Sequence, residues 1–316
     1  MRAALIEELG AAPQPKEVEE PRPGADEVMI ELAAAALNPA DLAIARGAFH
    51  GGHPPLPYSP GIEGVGHVVG DAAQARLVIA YGAGIGVTRN GTASSRFLAP
   101  REALVDLPAG VNPVIAAALC TAGGAGWLPV TWRAWTGSSD VVLVLGATGT
   151  AGRVALQAAR YVGATRIVGA GRNRERLERL RTLADAVVLL GDDDPVPALR
   201  EACGDPPTVI YDALFGRFME AAVAVAAPGA RIVQVGASSG PTATLPSAAI
   251  RGKRLDILGY SNMGTPREIF IEGYLTMLDL ATQGRLELDV KAWPLAEVTA
   301  AWKAVEAGGE KHVLVP

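Results

Sequence analysis

The segment that most restricts the fold lies in the middle of the chain. Val141–Leu145 is an unbroken β-branched and aliphatic run, the pattern of a strand buried on both faces. It leads directly into Gly146-Ala147-Thr148-Gly149-Thr150-Ala151-Gly152, and a helix is predicted over residues 153–162. A strand, a glycine-rich turn and a helix in that order cradle a pyrophosphate. The glycines permit a tight turn, backbone N–H groups approach the anion, and the helix N-terminus adds partial positive charge. A glycine triplet alone is weak evidence, so its surroundings decide. Strands predicted over 166–170, 186–190, 208–212 and 231–236 alternate with helices over 174–183, 196–202 and 217–226. That alternation is the βαβ pattern of a doubly wound parallel sheet, an α/β fold. Residues 146–152 are therefore expected to bind a dinucleotide.

The end of the next strand discriminates between cofactors. An NAD-binding unit usually carries an acidic residue there, which holds the ribose 2′-hydroxyl. Here the chain reads Ala170-Gly171-Arg172-Asn173-Arg174-Glu175-Arg176, with no carboxylate at the strand tip. The Arg172 guanidinium suits a bidentate grip on a 2′-phosphate, with Asn173 and Arg176 assisting. NADPH is the expected cofactor. The plainer alternative is that these arginines only solvate the start of a helix.

A chain of 316 residues is long enough for about two domains. The first hundred residues read as short strands, over 2–7, 27–34, 64–69 and 76–80, separated by Gly- and Pro-rich turns. That pattern favours a small β-barrel or sandwich. Helices are expected over 266–283 and 296–307, and a last strand over 312–315 that returns to the N-terminal β-domain. The net charge of −5 and the absence of a long Lys/Arg run argue against a nucleic-acid partner. Cys120 and Cys203 lie in no CxxC pair, so neither a disulfide framework nor a cysteine-rich zinc site is expected, which suits a reducing cytoplasm. No signal peptide is expected at the N-terminus. Residues 107–132 carry no charge, but Pro108, Pro113, Pro129, Gly123, Gly124 and Gly126 interrupt them. The expectation is a buried helix rather than a membrane span.

With these residues in place, the chain resembles the zinc-free quinone oxidoreductase branch of the medium-chain dehydrogenase/reductase superfamily. Asn38-Pro39-Ala40-Asp41 is similar to that branch's Asn-Pro-x-Asp motif, and Pro60-Gly61-Ile62-Glu63-Gly64-Val65-Gly66 to its Pro-Gly-x-Glu-x-x-Gly turn. Residues 116–128, Val209-Ile210-Tyr211-Asp212, residues 229–233 and Lys311-His312-Val313-Leu314 fall in the order of comparable family segments. The resemblance implies a Rossmann domain over residues 113–264. It also implies a GroES-like β-barrel domain built from residues 1–112 and 265–316. A small-molecule substrate and a homodimer are further implications. Around residues 70–80 the chain looks shorter than the family usual.

In the zinc-dependent branch a Cys, a His and a Cys bind the catalytic metal, and the positions that match here are Asn38, Ile62 and Thr121. An aliphatic side chain binds no zinc, and the set lacks first-choice ligands. His50 and His53 form an HxxH in a glycine-rich loop, too few ligands for a catalytic zinc. No metal site is expected. Without a Lewis acid, hydride transfer to an intrinsically electrophilic acceptor, a quinone or an activated enone, is the chemistry that remains. Asn38 is the first candidate to face substrate or nicotinamide, although Asn before Pro39 also reads as a turn-former. Tyr58 is a candidate proton donor, although a tyrosine so placed also reads as packing. Gly236 and Ala237 are expected to dock the nicotinamide carboxamide, and Asn262 to reach the cofactor. Three functions stay open: a quinone-type oxidoreductase, an enone or enoyl-thioester reductase, and a non-catalytic NADPH-binding sensor.

Overall fold

The computed structural model describes residues 1–70 and 76–316. Residues 71–75 of the shortened stretch expected around residues 70–80 lie outside the described residues. The chain forms two units, Met1–Ala122 with Tyr274–Pro316, and Gly123–Gly273. Both boundaries fall later than residues 113 and 265. The reason for the first is the helix that follows Asn112, which packs on strands of the N-terminal unit.

In the first unit β1 (Arg2–Leu5) pairs antiparallel with β2 (Gln14–Glu17). The 11-residue β3 (Glu27–Leu37) leads into α1 (Pro39–Ala45), and β4 (Glu63–Val68), β5 (Leu77–Tyr81), β6 (Arg96–Pro100), β7 (Leu104–Asp106) and α2 (Pro113–Leu119) follow. β3 is the spine: β4 and β6 both pair with it antiparallel. Alternate β3 residues Val28, Ile30, Leu32 and Ala34 are buried, the period expected of a strand with one face on a core. α2 carries three consecutive alanines, Ala116, Ala117 and Ala118, all buried, and these small side chains let it lie close against β3 and β4. Within the uncharged stretch 107–132 the chain forms not one helix but two, over 113–119 and from 121 onward, the second ending at Arg133. No single helix among the described residues is long and apolar enough to cross a membrane.

α3 (Thr121–Leu128) begins at the end of the first unit. The second unit then alternates strand and helix: β8 (Val141–Leu145), α4 (Thr150–Tyr161), β9 (Arg166–Gly171), α5 (Arg174–Arg179), β10 (Ala186–Leu189), α6 (Val196–Cys203), β11 (Val209–Asp212), α7 (Arg217–Val225), β12 (Arg231–Gln234), α8 (Ser247–Lys253) and β13 (Asp256–Gly259). The six strands are parallel in the order β10-β9-β8-β11-β12-β13. This is the Rossmann order, and it reverses between β8 and β11, so the ligand crevice lies at the C-terminal ends of those two strands. All five β8 side chains are buried. Each contributes about 1.5–3 kcal/mol of gross hydrophobic stabilisation, which is why the strand carries no polar residue.

α9 (Arg267–Thr282) contains the second unit boundary, and β14 (Val290–Pro294), α10 (Val298–Ala307) and β15 (Lys311–Val315) complete the chain. β15 pairs antiparallel with β3, His312 opposite Leu37, and β14 pairs parallel with β15. The C-terminus thus rejoins the first sheet and brings Lys311 beside Asn38. The chain is an α/β protein with a doubly wound parallel sheet and a GroES-like β-domain made from both chain ends.

Candidate functional site

The glycine loop turns sharply at the end of β8. Gly146 has φ +87°, a region that L side chains rarely enter, and the N–H groups of Gly146 and Ala147 bond the Ala170 carbonyl at 2.9 and 3.0 Å. α4 then starts at Thr150 with Gly149 as its extended N-cap, so its first-turn amides have no partners within the helix. The packing leaves no room for side chains at two further glycines. A Cβ on Gly152 would stand 2.2 Å from the Gly146 carbonyl oxygen, and one on Gly126 of α3 would stand 2.2 Å from that of Ala151. The loop residues 146–152 are therefore held between β9, α3 and α4 with their backbone presented at the sheet's C-terminal edge. The shape and the helix N-terminus fit a dinucleotide pyrophosphate.

At the tip of β9, Arg172 is exposed, and among the described residues no carboxylate pairs with it. Asn173 is partly spent: its Oδ1 accepts the Arg176 N–H at 3.0 Å and caps α5. Gly236 follows β12 with its N–H donating to the Asp212 carbonyl at 3.4 Å, and the Ser238 N–H donates to the Ala213 carbonyl at 3.3 Å, so the Ala237 N–H between them is the backbone donor left in that turn. Asn262 accepts from the Tyr260 hydroxyl at 2.7 Å, and that hydroxyl lies 3.2 Å from the Gly124 carbonyl of α3.

A residue not singled out from the sequence ties the crevice loops together. Asp212, at the end of β11, is fully buried, and its Oδ1 accepts the N–H groups of Leu214 and Phe215, both at 2.9 Å. Its Oδ2 meets no partner, and burial raises its pKa against the pull of those two amides. The turn it fixes packs on Gly146 and, through the Ala213 carbonyl, receives Ser238 Oγ at 3.1 Å.

The first unit holds a different cluster. Asn38 is 2 % exposed; its Nδ2 donates to Glu63 Oε1 at 2.8 Å, and its Oδ1 accepts from Lys311 Nζ. Lys311 Nζ also donates to the Leu37 carbonyl at 3.0 Å and stands 3.5 Å from Glu63 Oε1. Glu63 Oε2 accepts the Thr121 N–H at 2.5 Å. Asp41 reaches back to the N–H groups of Asn38, at 2.7 Å, and Ile62, at 3.1 Å. Burial pushes the Asp41 pKa up to about 6; the Asn38 amide opposes this, Glu63 adds to it and Lys311 opposes it. Tyr58 is 1 % exposed with a partnerless hydroxyl, and burial, aided by the Asp41 charge, pushes its pKa up to about 12. As placed, neither Asn38 nor Tyr58 offers a polar atom to solvent. The signal available in the sequence was Lys311, at the head of the strand that returns to the N-terminal domain.

The three positions that match zinc ligands are thus woven into this network by other means. Asn38 takes the Lys311 ammonium, Ile62 contributes only a backbone N–H, and the Thr121 N–H goes to Glu63. An ammonium paired with Glu63 beside an aliphatic side chain does not fit a tetrahedral zinc. His50 and His53 are exposed, and the His53 ring nitrogen sits 2.8 Å from the Pro54 carbonyl. Among the described residues no group of three or more His, Cys, Asp or Glu could hold a metal ion.

Comparison with known proteins agrees with the fold. The family described as "Alcohol dehydrogenase GroES-like domain" matches residues 24–109, and "Zinc-binding dehydrogenase" matches residues 151–280. Quinone oxidoreductase-like protein 2 of Rattus norvegicus is 28% identical over 264 residues, 82% of this chain and 74% of that protein. A phenolphthiocerol/phthiocerol polyketide synthase of Mycobacterium tuberculosis is 29% identical over 316 residues, which is 94% of this chain but 14% of that protein. Among solved structures, the quinone oxidoreductase of Thermus thermophilus, determined alone and with NADPH, superposes with a TM-score of 0.83 at 28% identity, covering all of both chains. The two family matches, the order of the motifs and the whole-chain superposition agree: this is an oxidoreductase of the medium-chain dehydrogenase/reductase superfamily, in its quinone oxidoreductase branch.

Proposed function

We propose that the chain is an NADPH-dependent, zinc-independent reductase that delivers hydride to a quinone or a similar electrophilic carbonyl acceptor. The observation that carries this reading is the exposed Arg172 at the tip of β9, beside a strand–turn–helix cradle and with no carboxylate at the strand end. The backbone of residues 146–152 binds the pyrophosphate, and Arg172 with Asn173 and Arg176 meets the 2′-phosphate. The Ala237 N–H orients the carboxamide, and Asn262 lines the cofactor from the loop after β13. When bound, NADPH supplies the hydride. A quinone or enone takes it at an already electron-poor centre, so no Lewis acid is needed, and the accompanying proton comes from water. Asn38 and Tyr58 act within the fold, because their polar groups are enclosed. The exposed edge strand β13 suits pairing with a second copy into a homodimer, and a cytoplasmic setting suits the two free cysteines.

The match to one segment of a polyketide synthase favours reduction of an enone or enoyl-thioester as the second reading. Absorbance decay of NADPH and NADH with 1,4-benzoquinone, in buffer containing a chelator, separates the cases. Rapid NADPH loss with NADH much poorer is the expected result. NADPH binding without quinone turnover would transfer the assignment to enones, and failure there too would leave a cofactor-binding sensor.

A further inference from the structure

Gly171 is the last residue of β9, the place where an NAD-preferring strand end carries its acid. Its backbone does not require glycine, since it lies outside the left-handed region. What forbids a side chain is a neighbour. A Cβ built on Gly171 would stand 2.7 Å from Thr148 Cγ2 and 3.0 Å from Thr148 Oγ1, and its next contact, at 3.4 Å, is Thr148 Cβ. All three atoms belong to one residue of the glycine loop. Thr148 is β-branched, so its χ1 is stiff and both branches already crowd the spot. The backbone beneath it is fixed as well, by the bonds from Gly146 and Ala147 to Ala170.

We propose that Thr148 is a specificity-determining residue for the cofactor. Its side chain occupies the volume above Gly171 that a 2′-hydroxyl-binding carboxylate needs, and so leaves Arg172 as the charge at the ribose. The inference rests on the NADPH reading above and adds a cause to it: the strand end lacks an acid because the phosphate loop has filled its place. A carboxylate at 171 would repel a 2′-phosphate and accept a 2′-hydroxyl, so closing that position favours one cofactor without any direct contact to it.

The test measures NADPH and NADH dissociation constants by fluorescence titration for the wild type, T148A, G171D and T148A/G171D, with melting temperatures for each. T148A changes the NADPH and NADH constants by the same factor, because its loop holds the pyrophosphate common to both and the proposed role at the ribose is exclusion rather than contact. G171D loses affinity for both cofactors, since Thr148 and its loop must shift. T148A/G171D binds NADH at least about tenfold more tightly than G171D does and prefers NADH over NADPH. A double variant that binds NADH no better than G171D overturns the proposal. So does a G171D that already prefers NADH as strongly as the double. Should G171D fail to fold, G171A and T148A/G171A carry the same question through a single methyl group. G171A melts below wild type, T148A/G171A recovers the loss, and equal melting of G171A and wild type refutes the crowding. A wild type that prefers NADH refutes the NADPH reading on its own, while the alanine pair still reports whether Thr148 closes the position.

Discussion

Replacing Lys311 with methionine tests the buried cluster of the first unit most directly. Methionine keeps most of the stem's volume and removes only the ammonium. The loss strips one donor each from the Leu37 carbonyl and from Asn38 Oδ1, and removes the positive charge 3.5 Å from Glu63. Glu63 keeps its bonds from Asn38 Nδ2 and the Thr121 N–H, but it stays fully buried with a second carboxylate, Asp41, close by. Breaking one side of a buried ion pair costs about 3–5 kcal/mol. For a folded unit of this size that is a fall in melting temperature of roughly 8–15 °C. The double variant E63Q/K311M should recover more than half of it. The neutral amide that E63Q introduces can accept the Thr121 N–H and, once the Asn38 side chain turns over, donate to the Asn38 oxygen that Lys311 vacates; the Glu63 charge is gone, and Asp41 keeps the Asn38 and Ile62 amides. Thermal melts followed by circular dichroism on the three proteins decide the matter. If K311M melts within about 2 °C of wild type, or the double variant is no better than the single, the ammonium is not neutralising Glu63 and the reasoning fails.

Four further outcomes follow from the same geometry. R172A should weaken NADPH binding roughly 10- to 100-fold, the loss of charged hydrogen bonds worth about 1.5–3 kcal/mol, and leave NADH binding unchanged; equal loss of both cofactors in a titration would remove Arg172 from the 2′-phosphate. G152A should lower cofactor affinity by about two orders of magnitude, because its methyl would stand 2.2 Å from the Gly146 carbonyl oxygen; wild-type affinity in that variant would show that the loop tolerates displacement. Asp41 has a folded-state pKa of about 6 against its usual 3.8, so the native state holds its proton more tightly. Its contribution therefore favours folding below pH 4 and is lost as pH rises through 6, by up to about 3 kcal/mol; the stability of wild type minus that of D41N, from denaturant melts, should fall between pH 4 and 7, and a flat difference would contradict the burial. Turnover should survive prolonged treatment with a strong chelator, and a loss reversed by added zinc would end the zinc-independent reading.

How far the sequence could be read depended on the range of the interaction that fixed each feature. The alternation from β8 to β12 and the loop after β8 are local. A run such as Val141–Leu145 has one stable use, and Gly152 meets backbone only a few residues away. The short edge elements were less visible: β2 is fully exposed and β13 nearly so, and without a buried face neither shows an alternating pattern. Asn38 illustrates the harder limit. Before Pro39 and three residues ahead of Asp41, it reads equally as a substrate-facing amide or as the start of a helix, because both uses want a short polar side chain there. What separates them is Lys311, 273 residues away along the chain, which takes the Asn38 oxygen only because β15 returns to pair with β3. No local pattern carries that information. Thr148 and Gly171 make the same point at shorter range: each is unremarked alone, and the pair acquires meaning when β8 and β9 lie side by side and one residue's methyl fills the other's missing side chain. Roles that depend on which volumes are already occupied are set by packing between strands, and no run of residues within one strand spells them out.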